Sequence, residues 1–201
     1  MTKVLSKIEE LKTSRLLIFS ALMAIVSIVP PWFHYDIIAE DGAFHYIPIA
    51  KIIIEGDILN ALSQELPVYP LLVSGMSFLT GNNFELAGRI LSAIFYVLSA
   101  LGMFKLTHSA FNSKPAAILS VIFLITNRDL MDLGVDCLKE TLVLCLIIWS
   151  SYFWISWMIS KKRFLLVLSL VFFILGCLTR STVAFFLLSC VFVWLFSERK
   201  W

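Results

Sequence analysis

The chain alternates long uncharged runs with short charged connectors, and the run lengths divide it into elements. Residues 16–33, LLIFSALMAIVSIVPPWF, are uncharged and follow Lys3, Lys7, Lys12 and Arg15. With no small-x-small cleavage site after them, they predict a retained first span rather than a removed leader. An acidic loop covers 34–85, within which PVYPLLVSGMSFLTG (67–81) is too short to cross and is bounded by Pro and Gly. It predicts a segment lying in the interface. LAGRILSAIFYVLSALGMF (86–104) is a second span, PAAILSVIFLIT (115–126) a short, tilted or re-entrant one, and TLVLCLIIWSSYFWISWMIS (141–160) a third full one, stopped by KKR.

Residues 164–197 hold one charge, Arg180. A single helix of that length would run roughly 50 Å, against a hydrocarbon core of about 30 Å. A hairpin turning at LTRST fits better, so 86–197 supplies spans two to six. The expected fold is all-α: one transmembrane domain over 1–201, a polytopic membrane helix bundle of about six spans with an amphipathic juxtamembrane helix in the first loop.

Composition agrees with a lipid solvent: 60% of residues are hydrophobic and 15% charged, too apolar for a soluble domain. Charge then orients the bundle. With the N-terminus inside, Lys3, Lys7, Lys12, Arg15, Lys105, Lys114, Lys161, Lys162, Arg163, Arg199 and Lys200 fall on the inner side with Glu9, Glu10 and Glu198. That leaves five of the 16 basic residues and eleven of the 14 acids for the other face. This is the positive-inside pattern. It predicts a multi-pass cell-membrane protein with a cytoplasmic N-terminus and the acidic loop outside. Trp32, Tyr35, Tyr69 and Trp194 stand near the predicted boundaries as interfacial aromatics. Cys137, Cys145, Cys177 and Cys190 lie in or beside apolar runs without paired spacing and read as small buried hydrophobes.

The stretch HYDIIAEDGAFHYIPIAKIIIEGD (34–57) gathers Asp36, Glu40, Asp41, Glu55 and Asp57 with His34 and His45, against one lysine, Lys51. On a helix turning about 100° per residue, Asp41, His45, Lys51 and Glu55 share an arc of about 120°. Ala43, Tyr46, Ile47, Ile49, Ala50, Ile53 and Ile54 lie on the far side, expected to rest on the membrane. Phe44, Pro48 and Ile52 share the polar arc, and Pro48 lacks an amide donor and would kink the helix. A carboxylate at the wet edge of an apolar bundle suits proton abstraction, because burial raises its pKa and a nearby cation lowers it. Glu40 and Asp41 are the candidates. Asp36, Glu65 and Glu85 read as solvating charges, and Asp57 after Gly56 as a helix-ending turn or cap. His34, Asp36, Asp41 and His45 match no tight ligand spacing; a divalent cation stays possible, no cofactor is certain, and ordinary interfacial histidines are the simpler reading.

NRDLMDLGVDCLKE (127–140) brings Arg128, Asp129, Asp132, Asp136, Lys139 and Glu140 to the same side. Arg89, Lys139 and Arg180 could hold a phosphate by charge-assisted hydrogen bonds, pair with loop acids, or snorkel.

Taken in order, the ED pair continuing as EDGAFHYIPIAKIIIEGD, the stretch LPVYPLLVSGMSFLTGN, ELAGRILSAIFYVLSALGMFKLT, CLKETLVLCLIIW and FILGCLTRSTVAFFLL resemble the N-terminal half of a GT-C glycosyltransferase. The similarity is to the branch of protein O-mannosyltransferases and lipid A aminoarabinose transferases. The resemblance implies that Asp41, with Glu40 as its neighbour, is the catalytic base. The family often writes this pair in the opposite order, Asp-Glu. Its usual aromatic four residues on falls at His45, with Tyr46 next. The resemblance also implies substrate-binding roles for His45, Tyr46, Tyr69, Arg89, Lys139, Glu140 and Arg180, near a lipid-phosphate or sugar pocket. The implied reaction moves a sugar from a polyprenyl-phosphate donor to a lipid, glycan or protein acceptor on the outer face, inverting, with membrane lipids around it and no nucleic acid. Family members commonly run two to three times this length, which reads as a fragment, a degenerate product or half of an assembly. The competing classes are a transporter or lipid-handling protein, which needs ionisable groups near mid-bilayer, and a non-catalytic membrane scaffold. Charges gathered on one face favour interfacial chemistry.

Overall fold

A computed structural model describes residues 8–34, 39–64 and 68–185. Asp36, Tyr35, Glu65, Cys190, Trp194, the terminal charges and the second arm of the predicted hairpin lie outside the described residues.

Every element among the described residues is helical, with no strand among them. α1 spans Thr13–His34 and ends over the Pro30–Pro31 pair, which removes two amide donors from its last turns. A wide π-turn, Gly42–Tyr46, runs directly into α2, Ile47–Ile54. The passage from π to α geometry falls just before Pro48, so the missing donor is absorbed there, and the helical path continues. α2 ends at Gly56, whose φ of +90° suits glycine. The Asp57 carboxylate then accepts from the Asn60 amide at 3.2 Å, capping α3, Ile58–Gln64. α4 follows at Val68–Ser77.

α5, Phe84–Phe111, begins at Asn83, whose side chain accepts from the Leu86 amide at 3.0 Å, and stops at Asn112 in the left-handed region. Ser113 caps α6, Lys114–Thr126, with Pro115 in its first turn. Asn127 caps α7, Arg128–Leu133. α8, Glu140–Ser160, ends on left-handed Lys161, and α9, Arg163–Thr179, turns at Arg180 into a short 3₁₀ segment, Ser181–Val183. The helix therefore breaks within LTRST, at Arg180.

α1, α5 and α8 are long and apolar enough to cross a membrane; α6 and α9 are shorter apolar helices. The architecture is a polytopic membrane helix bundle. α5 is its axis, packed on α8, α6, α1 and α4, while α9 packs on α8. Two buried clusters divide it. The larger joins α1, α5 and α6 through Ala24, Ile28, Tyr96, Ala100, Phe104 and Val121. The second lies at the acid-bearing end, around Tyr46, Ala50, Tyr69, Val73, Ala87 and Cys137.

That second cluster corrects the expectation that the apolar side of the loop helix rests on lipid. Tyr46, Ile47, Ile49 and Ala50 are buried against protein, while Asp41, Phe44, His45, Lys51 and Glu55 are exposed. The amphipathic pattern is as expected, but its partner is α4 and the start of α5. Burying those residues against packed side chains gains close contacts as well as exclusion of water.

Candidate functional site

The acid-bearing end is built on the chain between α7 and α8. Val135, Asp136 and Cys137 are buried. The Val135 carbonyl accepts from Arg89 Nε at 3.0 Å. Asp136 Oδ1 accepts from the Ala39 amide at 3.0 Å and from the Cys137 amide at 2.7 Å, which fixes the chain one residue before Glu40. Leu138 offers its carbonyl to Ser92 Oγ at 3.3 Å. Lys139 Nζ lies 5.3 Å from the centre of the Tyr46 ring, a cation–π contact back to the π-turn.

Glu40 and Asp41 are both exposed. Asp41 stands at the N-cap of the π-turn, yet its side chain makes no capping hydrogen bond, so the carboxylate is not spent on the backbone. His45 is exposed on the same turn. His34 is exposed and donates from Nδ1 to the Pro30 carbonyl at 3.1 Å. Among the described residues, no three His, Cys, Asp or Glu side chains are grouped to hold a metal ion.

The two tyrosines expected to meet substrate are interior. Tyr46 is 3% exposed and Tyr69 is 1% exposed, with ring centroids 5.3 Å apart in an edge-to-face pair. The Tyr69 hydroxyl donates to the Gly88 carbonyl at 3.4 Å and lies 3.3 Å from Ser92 Oγ. Together the rings form the floor under the acidic turn, and neither reaches its open side. Cys137 sits in that floor as expected of a small hydrophobe; burial pushes its thiol up to about 11, so it stays protonated and unreactive at neutral pH.

The three cations differ in how they are held. Arg89 donates to two backbone carbonyls, Val135 and Trp32 (2.9 Å), and its guanidinium lies 4.9 Å from the Trp32 ring centre. Arg180 donates from Nη1 to Glu140 Oε1 at 3.1 Å and keeps a side-chain exposure of 46%. Glu140 Oε2 is shielded from water and takes no hydrogen bond among the described residues. The 135–140 segment thus contacts the chain before the acid pair through Asp136, the π-turn through Lys139, Arg89 through Val135 and Arg180 through Glu140.

Beside this end, an apolar groove of about 400 Å³ runs between α1 and α5, lined by residues such as Ile25, Ile28, Trp32, Ile90, Ile94 and Val97. Trp32 links it to Arg89. Sequence reasoning missed Val135, Asp136 and Cys137 as site-building residues. The only available signal was an acid beside a small residue immediately before the next span. Asp129, an acid in the same stretch, is exposed in the first turn of α7.

The sequence model of the family described as dolichyl-phosphate-mannose-protein mannosyltransferase matches residues 64–201. No curated protein and no solved structure matches the chain. The matched region carries Arg89, Asp136, Lys139, Glu140 and Arg180, while Glu40 and Asp41 precede it.

Proposed function

The chain belongs to the dolichyl-phosphate-mannose-protein mannosyltransferase family, of the GT-C membrane glycosyltransferases, and from that premise we propose that it transfers a sugar from a polyprenyl-phosphate donor to an acceptor. The reaction takes place on the non-cytoplasmic membrane face, where Asp41 serves as general base. The observation that carries this reading is the packing of the acidic turn onto the same 135–140 segment that leads to the cations.

Asp41 removes the proton from an acceptor hydroxyl or amine as that atom bonds to the anomeric carbon. The bond from that carbon to the phosphate oxygen breaks, and the electron pair leaves with the lipid phosphate. Attack and departure occur on opposite sides, so the configuration inverts. Arg180 has guanidinium donors beyond the one given to Glu140, and it and Lys139 stabilise the departing phosphate by charge-assisted hydrogen bonds. The groove between α1 and α5 offers an apolar wall to an isoprenoid or lipid tail. Glu40 is the neighbouring acid, and Arg89 supports the site by holding α1 to the loop.

Asp41→Asn is expected to lower transfer from polyprenyl-phosphate mannose by about 10²–10⁴-fold, with unchanged insertion and expression, and Glu40→Gln to change it far less. Equal turnover of wild type and Asp41→Asn removes the base assignment. Maleimide labelling of Phe44→Cys in intact cells tests the face: modification by a membrane-impermeant reagent supports it, and protection until lysis refutes it.

A further inference from the structure

Between α7 and α8 three consecutive residues grip both the acidic turn and α5, and two glycines make this possible. Val135 takes Arg89 Nε, and Asp136, 9% exposed, takes the Ala39 amide. Cys137 fills the gap between Gly42 and Gly88. A Cβ on Gly42 would lie 2.7 Å from the Cys137 carbonyl oxygen. On Gly88 a Cβ would overlap the Cys137 sulfur and lie 3.0 Å from its Cβ. Neither glycine has a positive φ, so what each supplies is room. Gly42 follows Asp41 and Gly88 precedes Arg89. One residue, by its carbonyl on one side and its sulfur on the other, therefore spaces the segment carrying the acid from the helix carrying the guanidinium.

We propose that Val135–Cys137 is a positioning clasp that fixes the acidic turn against α5, with Gly42 and Gly88 as its sockets and Asp136 as its tether. Its effect on turnover rests on the transferase reading; its geometry does not. The contacts are specific enough to separate this role from a chemical one. Asp136 acts through Oδ1 as an acceptor only, and asparagine retains that oxygen. An acid or metal-binding role would be lost in asparagine. Gly88 meets the Cys137 side chain, which a smaller residue at 137 relieves. Gly42 meets the Cys137 backbone, which no side-chain change relieves.

The test uses the full chain in lipid nanodiscs, spin-labelled at Phe44→Cys and Leu86→Cys, with Cys145, Cys177 and Cys190 replaced by serine. Cys137 remains, buried and unlabelled. Electron paramagnetic resonance then reads the distance distribution between the acidic turn and α5. Wild type is expected to give one narrow distribution. Gly88→Ala and Gly42→Ala should broaden or shift it. Adding Cys137→Ala to Gly88→Ala should restore it in part, since the Cβ atoms still stand at 3.0 Å; adding Cys137→Gly should restore it fully, since only Cα remains, at 3.5 Å. Neither addition should help Gly42→Ala. Asp136→Asn should match wild type, and Asp136→Ala should broaden. If Gly88→Ala does not fold, recovery of folded chain with Cys137→Gly reads the same contact.

A wild-type distribution in Gly88→Ala or Asp136→Ala overturns the clasp, as does failure of Cys137→Gly to rescue. Transfer from polyprenyl-phosphate mannose should fall at least tenfold in Gly88→Ala and recover in the same order as the distances. Unchanged turnover in a broadened variant overturns the positioning role. A wild type without any turnover sinks the transferase reading, while the distances still decide the clasp.

Discussion

Arg89 and Arg180 are the same residue type on neighbouring parts of one bundle end, and the structure uses them in opposite ways. Arg89 gives its donors to two main-chain carbonyls and lays its plane near an indole. It joins the end of α1 to the segment before α8, and it does so at half-buried positions where an unmet carbonyl is costly. Arg180 meets one carboxylate oxygen at an exposed turn, where an ion pair contributes little to stability. A cation whose donors end on backbone holds the fold; one with donors to spare at the surface can meet a ligand. Spacing and charge made the two look alike, and hydrogen-bond partners separate them.

Substitution can break this contrast. The largest effect is expected from Arg89→Ala, which leaves the Val135 and Trp32 carbonyls without their charged donor and should cost about 3 kcal/mol or more, read as lost thermal stability of the solubilised chain. Arg89→Lys cannot serve both carbonyls from one ammonium and should cost about 1.5–2 kcal/mol. Arg180→Ala should cost under about 1 kcal/mol of stability, yet weaken retention of a polyprenyl-phosphate by tenfold or more in a binding assay. Glu140→Gln keeps an acceptor for Arg180 and should shift stability least, by about 0.5 kcal/mol. If Arg180→Ala proves as unstable as Arg89→Ala, the distinction fails.

Much of the fold was legible from the lengths of apolar runs. The runs at 16–33, 86–104 and 141–160 appear as α1, α5 and α8, and 115–126 appears as the short α6. The segment at 67–81 appears as α4 and the turn after it. Each is a local signal, since the hydrophobicity of a run and the caps beside it depend on neighbours in sequence. The site was legible only in part. Asp41 and His45 fall on the exposed side that the periodicity predicted, because a helical repeat records which side is wet. It does not record what covers the dry side, so protein could not be told from lipid under Tyr46 and Ala50. Contacts such as Arg89 to Val135 or Ala39 to Asp136 join residues far apart in sequence through backbone atoms, which every residue has. They leave no pattern of side-chain types to find. Tyr69 shows the same limit from the other direction: a tyrosine near a predicted boundary belongs equally to a lipid interface and to a buried floor.

α6 spans Lys114–Thr126, 13 residues or about 20 Å of helix, beside neighbours that run far longer. Its outer flank presents Leu119, Ile122 and Phe123 to the surroundings. A bilayer of ordinary thickness meets so short a flank by thinning locally, by snorkelling of flanking side chains, or by a neighbour packing over it. A lipid sheet that thins there would be dimpled on this side of the bundle, where α6 gives way to Asn127 and α7. Headgroups drawn down there would enter sideways, from within the leaflet, without first leaving it for water.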